Sequence, residues 1–331
     1  MPTASSASAH AAVVYNPVKV PLERLRRAVE AQELQHGWQP SRWHETSSGD
    51  HGRQAAADAL AHGPAVVLVA GGDGTVRVVG EVLQGTGTAM ALLPTGTGNL
   101  LARNLGHALG DLDASVAVAF GGATRAIDVA IAEMEDADGT HRRHAFLVMA
   151  GIGLDAAMAA QTNALAKRHL GWVAYVPPIA RSITANRLLR LRYRIDGGPV
   201  RTARAHTLIV GNCGTLTGSM LLLPAAAVDD GLLDVVMLRP KNRAGWAGIG
   251  TRLTMQQLAH RSGFGRRMLE LTPEVRALAY AQGRQFDVRF EIPHDVQLDG
   301  DGFGAVVRAR ITVVPGSLRV AVPATAVGGS R

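Results

Sequence analysis

Two glycine-rich turns and a few acidic turns carry most of the chemistry this chain can offer. Gly71-Gly72-Asp73-Gly74-Thr75 follows the uncharged, β-branched run of residues 65–70 (AVVLVA), and Pro94-Thr95-Gly96-Thr97-Gly98-Asn99 follows a second apolar run, residues 89–93. Glycine lets the backbone turn sharply and approach an anion closely. A helix start adds free N–H groups and the positive end of its dipole. Helical spacing follows the first turn (Val76, Val79, Val82, Leu83), and residues 100–105 read as a helix after the second. One such turn is weak, because many serve only packing. Two, both after strands and both carrying Thr, form a phosphate cradle, and parallel strands would place both at one sheet edge. Asp73 stands out among these donors. A carboxylate repels phosphate unless a metal, a base role or a structural hydrogen bond accounts for it; turn capping is the plainer reading.

Three further stretches pair glycine with acid: Gly151-Ile152-Gly153-Leu154-Asp155, Asp229-Asp230-Gly231-Leu232-Leu233-Asp234 and Gln297-Leu298-Asp299-Gly300-Asp301-Gly302. Each is an ordinary turn composition on its own, and the last reads as a hairpin turn. The Asp229-Asp230-Gly231 turn could also bind a hard cation.

Together, Gly71-Gly72-Asp73-Gly74-Thr75 and Pro94-x-Gly96-Thr97-Gly98-Asn99 resemble the catalytic domain of the diacylglycerol kinase family. That family includes soluble bacterial lipid kinases and the sphingosine and ceramide kinases. The first motif is shared with NAD kinases; the second favours the lipid kinases. The resemblance runs from Tyr15 to about Val322. It implies ATP, with phosphates over Gly71, Gly72, Asp73, Gly74, Thr75, Gly96, Thr97 and Asn99, and with Asn16 and Thr46 as further contacts. It implies Mg²⁺ on Asp230, helped by the carbonyls of Ala227 and Leu232. It makes Asp301 the proton acceptor, Asp299 its supporting acid and Asp128 an acid near an inter-domain cleft; Asp73 is counted with the catalytic groups. Turn formation at Asn16 and helix capping at Thr46 are the local alternatives. The chain departs from the family where Val18-Lys19-Val20 replaces a Ser-Gly pair and Arg77-Val78 replaces Asn-Glu. No acidic contact is therefore expected at Val78, and Arg77 reads as a phosphate contact or a solvated helix position.

The elements that must position these residues change character midway. Residues 11–15 read as a strand stopped by Asn16-Pro17, 21–35 as a helix, 41–46 as a short strand, 52–62 and 113–120 as helices, and 125 onward as a strand. Thereafter strands dominate. Residues 189–195 (LRLRYRI) alternate, with arginines on one face, and 200–210, 286–292, 305–314 and 318–322 follow. The expected architecture is an α/β N-terminal domain (9–130), by resemblance phosphofructokinase-like and three-layered, and an all-β sandwich-like C-terminal domain (131–323). A cleft lies between them, with disordered tails at 1–8 and 324–331.

The 331 residues, 47% of them hydrophobic, suit two domains with real cores. A single cysteine, Cys213, rules out an intramolecular disulfide and reads as a small buried residue. No stretch has the length and apolarity of a transmembrane helix or a signal peptide, which points to a cytoplasmic protein. The net charge of +7 favours an anionic membrane surface, touched peripherally and transiently; no nucleic-acid module is evident. Residues 239–267 with Trp246, and 163–183 with Trp172 and Tyr175, are membrane-interface candidates or ordinary packed helices. The twelve histidines show no metal-ligand spacing. A homodimer is compatible with the chain. The reading is an ATP- and Mg²⁺-dependent kinase for a diacylglycerol-like or sphingoid lipid hydroxyl. Its rivals are an NAD kinase-like metabolite kinase and a non-catalytic lipid-binding regulatory protein.

Overall fold

The computed structural model describes residues 9–121, 123–153, 188–216, 220–239 and 278–324. They form two compact units. The first holds the residues up to Val129 together with those from Pro315 on; the second holds 130–314.

In the first unit, β1 (His10–Tyr15), β2 (Gln39–Glu45), β3 (Val66–Gly71) and β4 (Ala89–Pro94) are parallel, in the order β2-β1-β3-β4. β3 is buried along its whole length, as expected of a parallel strand covered on both faces. On one face Val13, Leu68 and Leu93 pack against Leu25 and Val29 of α1 (Leu22–His36) and Val116 and Phe120 of α5 (Leu112–Phe120). α2 (Arg53–Leu60) and α3 (Asp73–Leu83) pack on the strands as well, burying Ala56, Ala59, Val79 and Leu83. The unit is thus an α/β sandwich of helices around a parallel sheet. A short helix, α4 (Leu100–Asn104), follows the second glycine turn.

The second unit is antiparallel β-structure. β5 (Thr124–Asp136) pairs with β6 (His141–Phe146). β7 (Met149–Ile152) lies between β10 (Thr207–Gly211) and β15 (Gln285–Leu298). β15 also pairs with β8 (Leu189–Ile195), which pairs with β9 (Arg201–Ala205). β11 (Thr215–Leu216) and β12 (Met220–Leu221) form a small separate ladder. β13 (Leu233–Leu238) and β14 (Leu278–Gly283) extend the sheet beyond β10. Alternate residues of these strands meet in one core that includes Phe146, Ile152, Leu191, Leu208, Val235 and Phe286.

β16 (Asp301–Ala321) is one long strand where two, 305–314 and 318–322, were expected. Between those two stretches Gly316 takes φ +58° and donates its N–H to Asp128 Oδ1 at 2.7 Å. The residues after it join the first unit, where Arg319 lies opposite Ala89 and Val320 opposite Met90. By their contacts, residues 315–324 group with the first unit. The expected strand 200–210 is likewise two strands, because β9 pairs with β8 whereas β10 pairs with β7 and β13. Asp155 and most of the two aromatic basic segments lie outside the described residues. Among the described residues no helix is long and apolar enough to cross a membrane.

Candidate functional site

The parallel register places Gly71 opposite Pro94, so both glycine turns leave the same edge of the first unit's sheet. α3 starts at Gly72 with no side-chain cap, which leaves its first N–H groups to a ligand. Asp73, the first residue of α3, reaches the second turn. Its Oδ2 accepts the Asn99 N–H at 3.0 Å and its Oδ1 the Leu100 N–H at 2.7 Å. Of the three explanations a carboxylate needs here, the structural hydrogen bond is the one observed: Asp73 clips the second turn to the first. Asn99 closes the second turn on itself, accepting the Gly96 N–H at 3.0 Å and donating to the Gly96 carbonyl at 2.8 Å, from a left-handed backbone at φ +48°.

The glycines are where the turns touch. A Cβ on Gly96 would stand 2.9 Å from the Gly72 Cα, and one on Gly98 would stand 2.5 Å from Asp73 Oδ2. A cavity of about 10 Å³ remains between the turns, bounded by Gly71, Asp73, Pro94 and Asn99, so they pack on one another and leave room for about one water.

The other expected contacts line the same edge. Asn16 donates its N–H to the Ala70 carbonyl, and its Oδ1 accepts the Val18 N–H at 3.0 Å, which is the turn-forming role. Thr46 is buried, with its N–H on the Tyr15 carbonyl and its methyl against Gly52, next to which Thr75 also packs. Capping of α2, the alternative for Thr46, falls to Asp50 instead. Asp50 accepts from the N–H groups of Gly52 and Gln54 and from Ser47 Oγ, and these bonds hold its carboxyl below the usual carboxylate range. Two residues acquire meaning that the sequence did not carry. The Lys19 ammonium stands 3.2 Å from where a Gly72 Cβ would be, so the departure from Ser-Gly brings a cation over the first turn. Arg77 is not solvated. It is buried beside Glu81 (3.7 Å), which Arg53 approaches to 3.1 Å. Asp128, buried, binds the Gly316 N–H as described.

In the second unit Asp301 and Asp299 belong to one hairpin, in which β15 and β16 meet with Leu298 opposite Asp301. Asp299 and Gly300 are its two central residues, at φ +50° and +93°. Positive φ at both positions is the type I′ turn that Asp-Gly favours. Asp301 follows the turn, half-buried. Asp299 is buried and points inward: Oδ2 accepts the Leu147 N–H at 2.8 Å, and Oδ1 accepts those of Val148 and Met149 at 2.9 Å. Burial, aided by the Asp299 charge, pushes the neighbouring Cys213 thiol up, so it stays protonated.

Asp230 lies in an exposed turn with Gly231 at φ +72°, its Oδ1 accepting the Leu232 N–H at 3.0 Å; Ala227 and Leu232 are partly buried nearby. Four residues on, Asp234 is buried in β13. Its Oδ2 has no hydrogen-bond partner, and burial pushes its pKa up to about 6, with Asp230 adding to the rise. Among the described residues there is no cluster of three His, Cys, Asp or Glu that could hold a metal. Asp230 with backbone carbonyls nonetheless suits a hard, water-retaining cation, and the orphaned Asp234 oxygen is a second hard donor close by.

Comparison with known proteins identifies the family and the fold. Residues 10–132 match the diacylglycerol kinase catalytic domain, and residues 148–322 match the YegS C-terminal NAD kinase beta sandwich-like domain. The chain is 32% identical over 306 residues to a probable YegS-like lipid kinase of Pseudomonas aeruginosa, covering 91% of this chain and 90% of the relative. It is 28% identical over 278 residues to a diacylglycerol kinase of Mycobacterium tuberculosis, covering 82% and 81%. A crystal structure of a diacylglycerol kinase homologue from Bacillus anthracis superposes with a TM-score of 0.71 at 20% identity, covering 96% of this chain and 98% of that one. An NAD kinase from Archaeoglobus fulgidus shares the fold more distantly, at a TM-score of 0.50 and 12% identity over 96% and 95% of the two chains. The two domain matches, in this order and over nearly the whole chain, show that the chain belongs to the diacylglycerol kinase and YegS-like lipid kinase family.

Proposed function

We propose that the protein uses ATP and Mg²⁺ to phosphorylate the hydroxyl of a diacylglycerol-like or sphingoid lipid. The observation that carries this reading is the Asp73 clip, which holds two glycine turns side by side at the uncapped start of α3. Backbone N–H groups of Gly71, Gly72, Gly74 and Thr75 bind and orient the triphosphate, with Gly96 and Thr97 alongside, and Lys19 adds positive charge over the first turn. Asp301 takes the proton from the lipid hydroxyl as its oxygen attacks the γ-phosphorus and the bridging oxygen leaves with ADP. Asp299 fixes the hairpin on which Asp301 stands. A divalent ion on Asp230, the Ala227 and Leu232 carbonyls and Asp234 would supply positive charge next to that chemistry.

The test is transfer of labelled γ-phosphate to a panel of lipids in neutral detergent micelles, with NAD in parallel. Label in an organic-soluble product supports the proposal. Label in NADP would make the protein a metabolite kinase, and no transfer would make it a binding protein. Asp301→Asn should abolish transfer while a fluorescent ATP analogue still binds; retained turnover removes Asp301 as the base.

A further inference from the structure

The outer face of the β9-β8-β15-β16 sheet in the second unit is a lattice of arginines. Leu191, Val288 and Ala309 turn inward to the core, so their neighbours turn outward. The strand register then sets arginines opposite one another. Arg192 of β8 is opposite Arg289 of β15, which is opposite Arg308 of β16, and Arg190 is opposite Arg204 of β9. All five are exposed. Acids on this face hold some of the arginines: Asp287 holds Arg310 at 2.8 Å, Glu291 holds Arg190 at 3.6 Å and Glu135 holds Arg308 at 3.8 Å, and the Glu133 charge also acts on Arg310. Arg192 and Arg289 form no ion pair among the described residues. Like charges directly opposite on a sheet oppose pairing, and the core beneath is already filled by Leu191, Val288 and Ala309. This cluster therefore suits a ligand more than it suits the fold.

We propose that this face docks the protein on an anionic phospholipid bilayer. Guanidinium forks match phosphate oxygens two at a time. Two residues before Arg190, just ahead of β8, Leu188 is 39% exposed. An apolar side chain beside a basic patch suits insertion at the headgroup boundary. A nucleic-acid surface would offer aromatic platforms for bases, and the outward residues of these four strands include none among those described. The choice of a bilayer rests on the lipid-kinase reading above.

The experiment is vesicle co-sedimentation of the full chain. Phosphatidylcholine vesicles containing about a third phosphatidylglycerol should bind it in low salt and release it near 0.5 M salt, where screening length falls to about 4 Å. Vesicles of phosphatidylcholine alone should bind weakly. Arg192→Glu/Arg289→Glu/Arg308→Glu should lower the partition coefficient about 100-fold or more, at roughly fivefold per charge. A matched Arg24→Glu/Arg27→Glu/Arg42→Glu variant of the first unit should change it far less. Arg289→Glu alone places an acid between two arginines, so it should fold at least as well as the parent while binding vesicles less. Equal binding by the two triple variants overturns the proposal, as does loss of DNA or RNA binding in the sheet variant with vesicle binding unchanged. Phosphorylation of micelle-dispersed lipid, measured on the same samples, separates the two ideas. Vesicle binding without any lipid phosphorylation defeats the kinase reading and leaves the docking face standing.

Discussion

Both oxygens of Asp299 accept backbone N–H groups from residues 147–149, some 150 positions earlier in the chain. Hydrogen bonds to a charged acceptor are worth roughly 1.5–3 kcal/mol each, and buried donors left without one cost about as much. Asp299→Ala should therefore destabilise the protein by about 3–5 kcal/mol in urea unfolding. Asp299→Asn, which keeps an acceptor oxygen but brings an NH₂ against N–H donors, should lose less. Asp299→Ala within 1 kcal/mol of the parent would remove the bracket role. Asp301 presents the opposite case. It stands half-exposed just past the hairpin turn, so its loss should be felt in turnover and hardly in stability.

Glycines test the elements, because two of them are needed for different reasons. Gly96 has ordinary backbone, but a Cβ there would press on the Gly72 Cα of the neighbouring turn, and backbone cannot give way cheaply. Gly300 has open space around it but sits at φ +93°. Gly96→Ala should force the paired turns apart and weaken ATP-analogue binding at least about tenfold, the equivalent of about 1.4 kcal/mol. Gly300→Ala should cost only about 1–2 kcal/mol of stability through the left-handed strain and leave nucleotide binding alone. Equal nucleotide affinities for the two variants would show that the turns do not act as one cradle. The two strand–turn–helix steps were legible in the sequence because each signal is local: an uncharged apolar run, then glycines, then a helix-like segment. The same holds for the strict alternation of residues 189–195. What joins the steps was not legible. Asp73 meets Asn99 and Leu100 across 26 and 27 residues, and Asp128 meets Gly316 across 188. No spacing rule announces such pairs. Lys19 was hidden for another reason: it read only as a departure from a pattern, and its ammonium reaches Gly72 only once β1 and β3 lie side by side. That β16 runs on through residues 315–317 was not legible either, because the group that holds Gly316 is a distant carboxylate.

At the scale of the whole molecule, stability should be acid-sensitive, and His107 is one identifiable source. Its ring is buried in the first unit, and burial lowers its pKa below the ordinary histidine value. In the unfolded chain the same ring takes a proton near pH 6.5. Below that pH the unfolded state therefore binds more protons than the folded one, and stability falls as pH drops. The contribution is fully present above about pH 6.5 and is lost progressively below it as pH falls toward the lowered folded-state value. Urea unfolding at pH 7.5, 6.5 and 5.5 should show this decline. His107→Leu should flatten it across that window, and an unchanged slope would assign the sensitivity elsewhere.

The division of the chain has a consequence for its birth on the ribosome. The strand segment that lies beside Ala89 and Met90 is made after all 185 residues of the second unit. Until synthesis passes Val320, a nascent polypeptide that already contains both glycine turns still has an open flank along β4. Premature release anywhere in that interval would leave an unpaired parallel ribbon, a natural seed for clumping and a reason for chaperones to attend this chain late in synthesis.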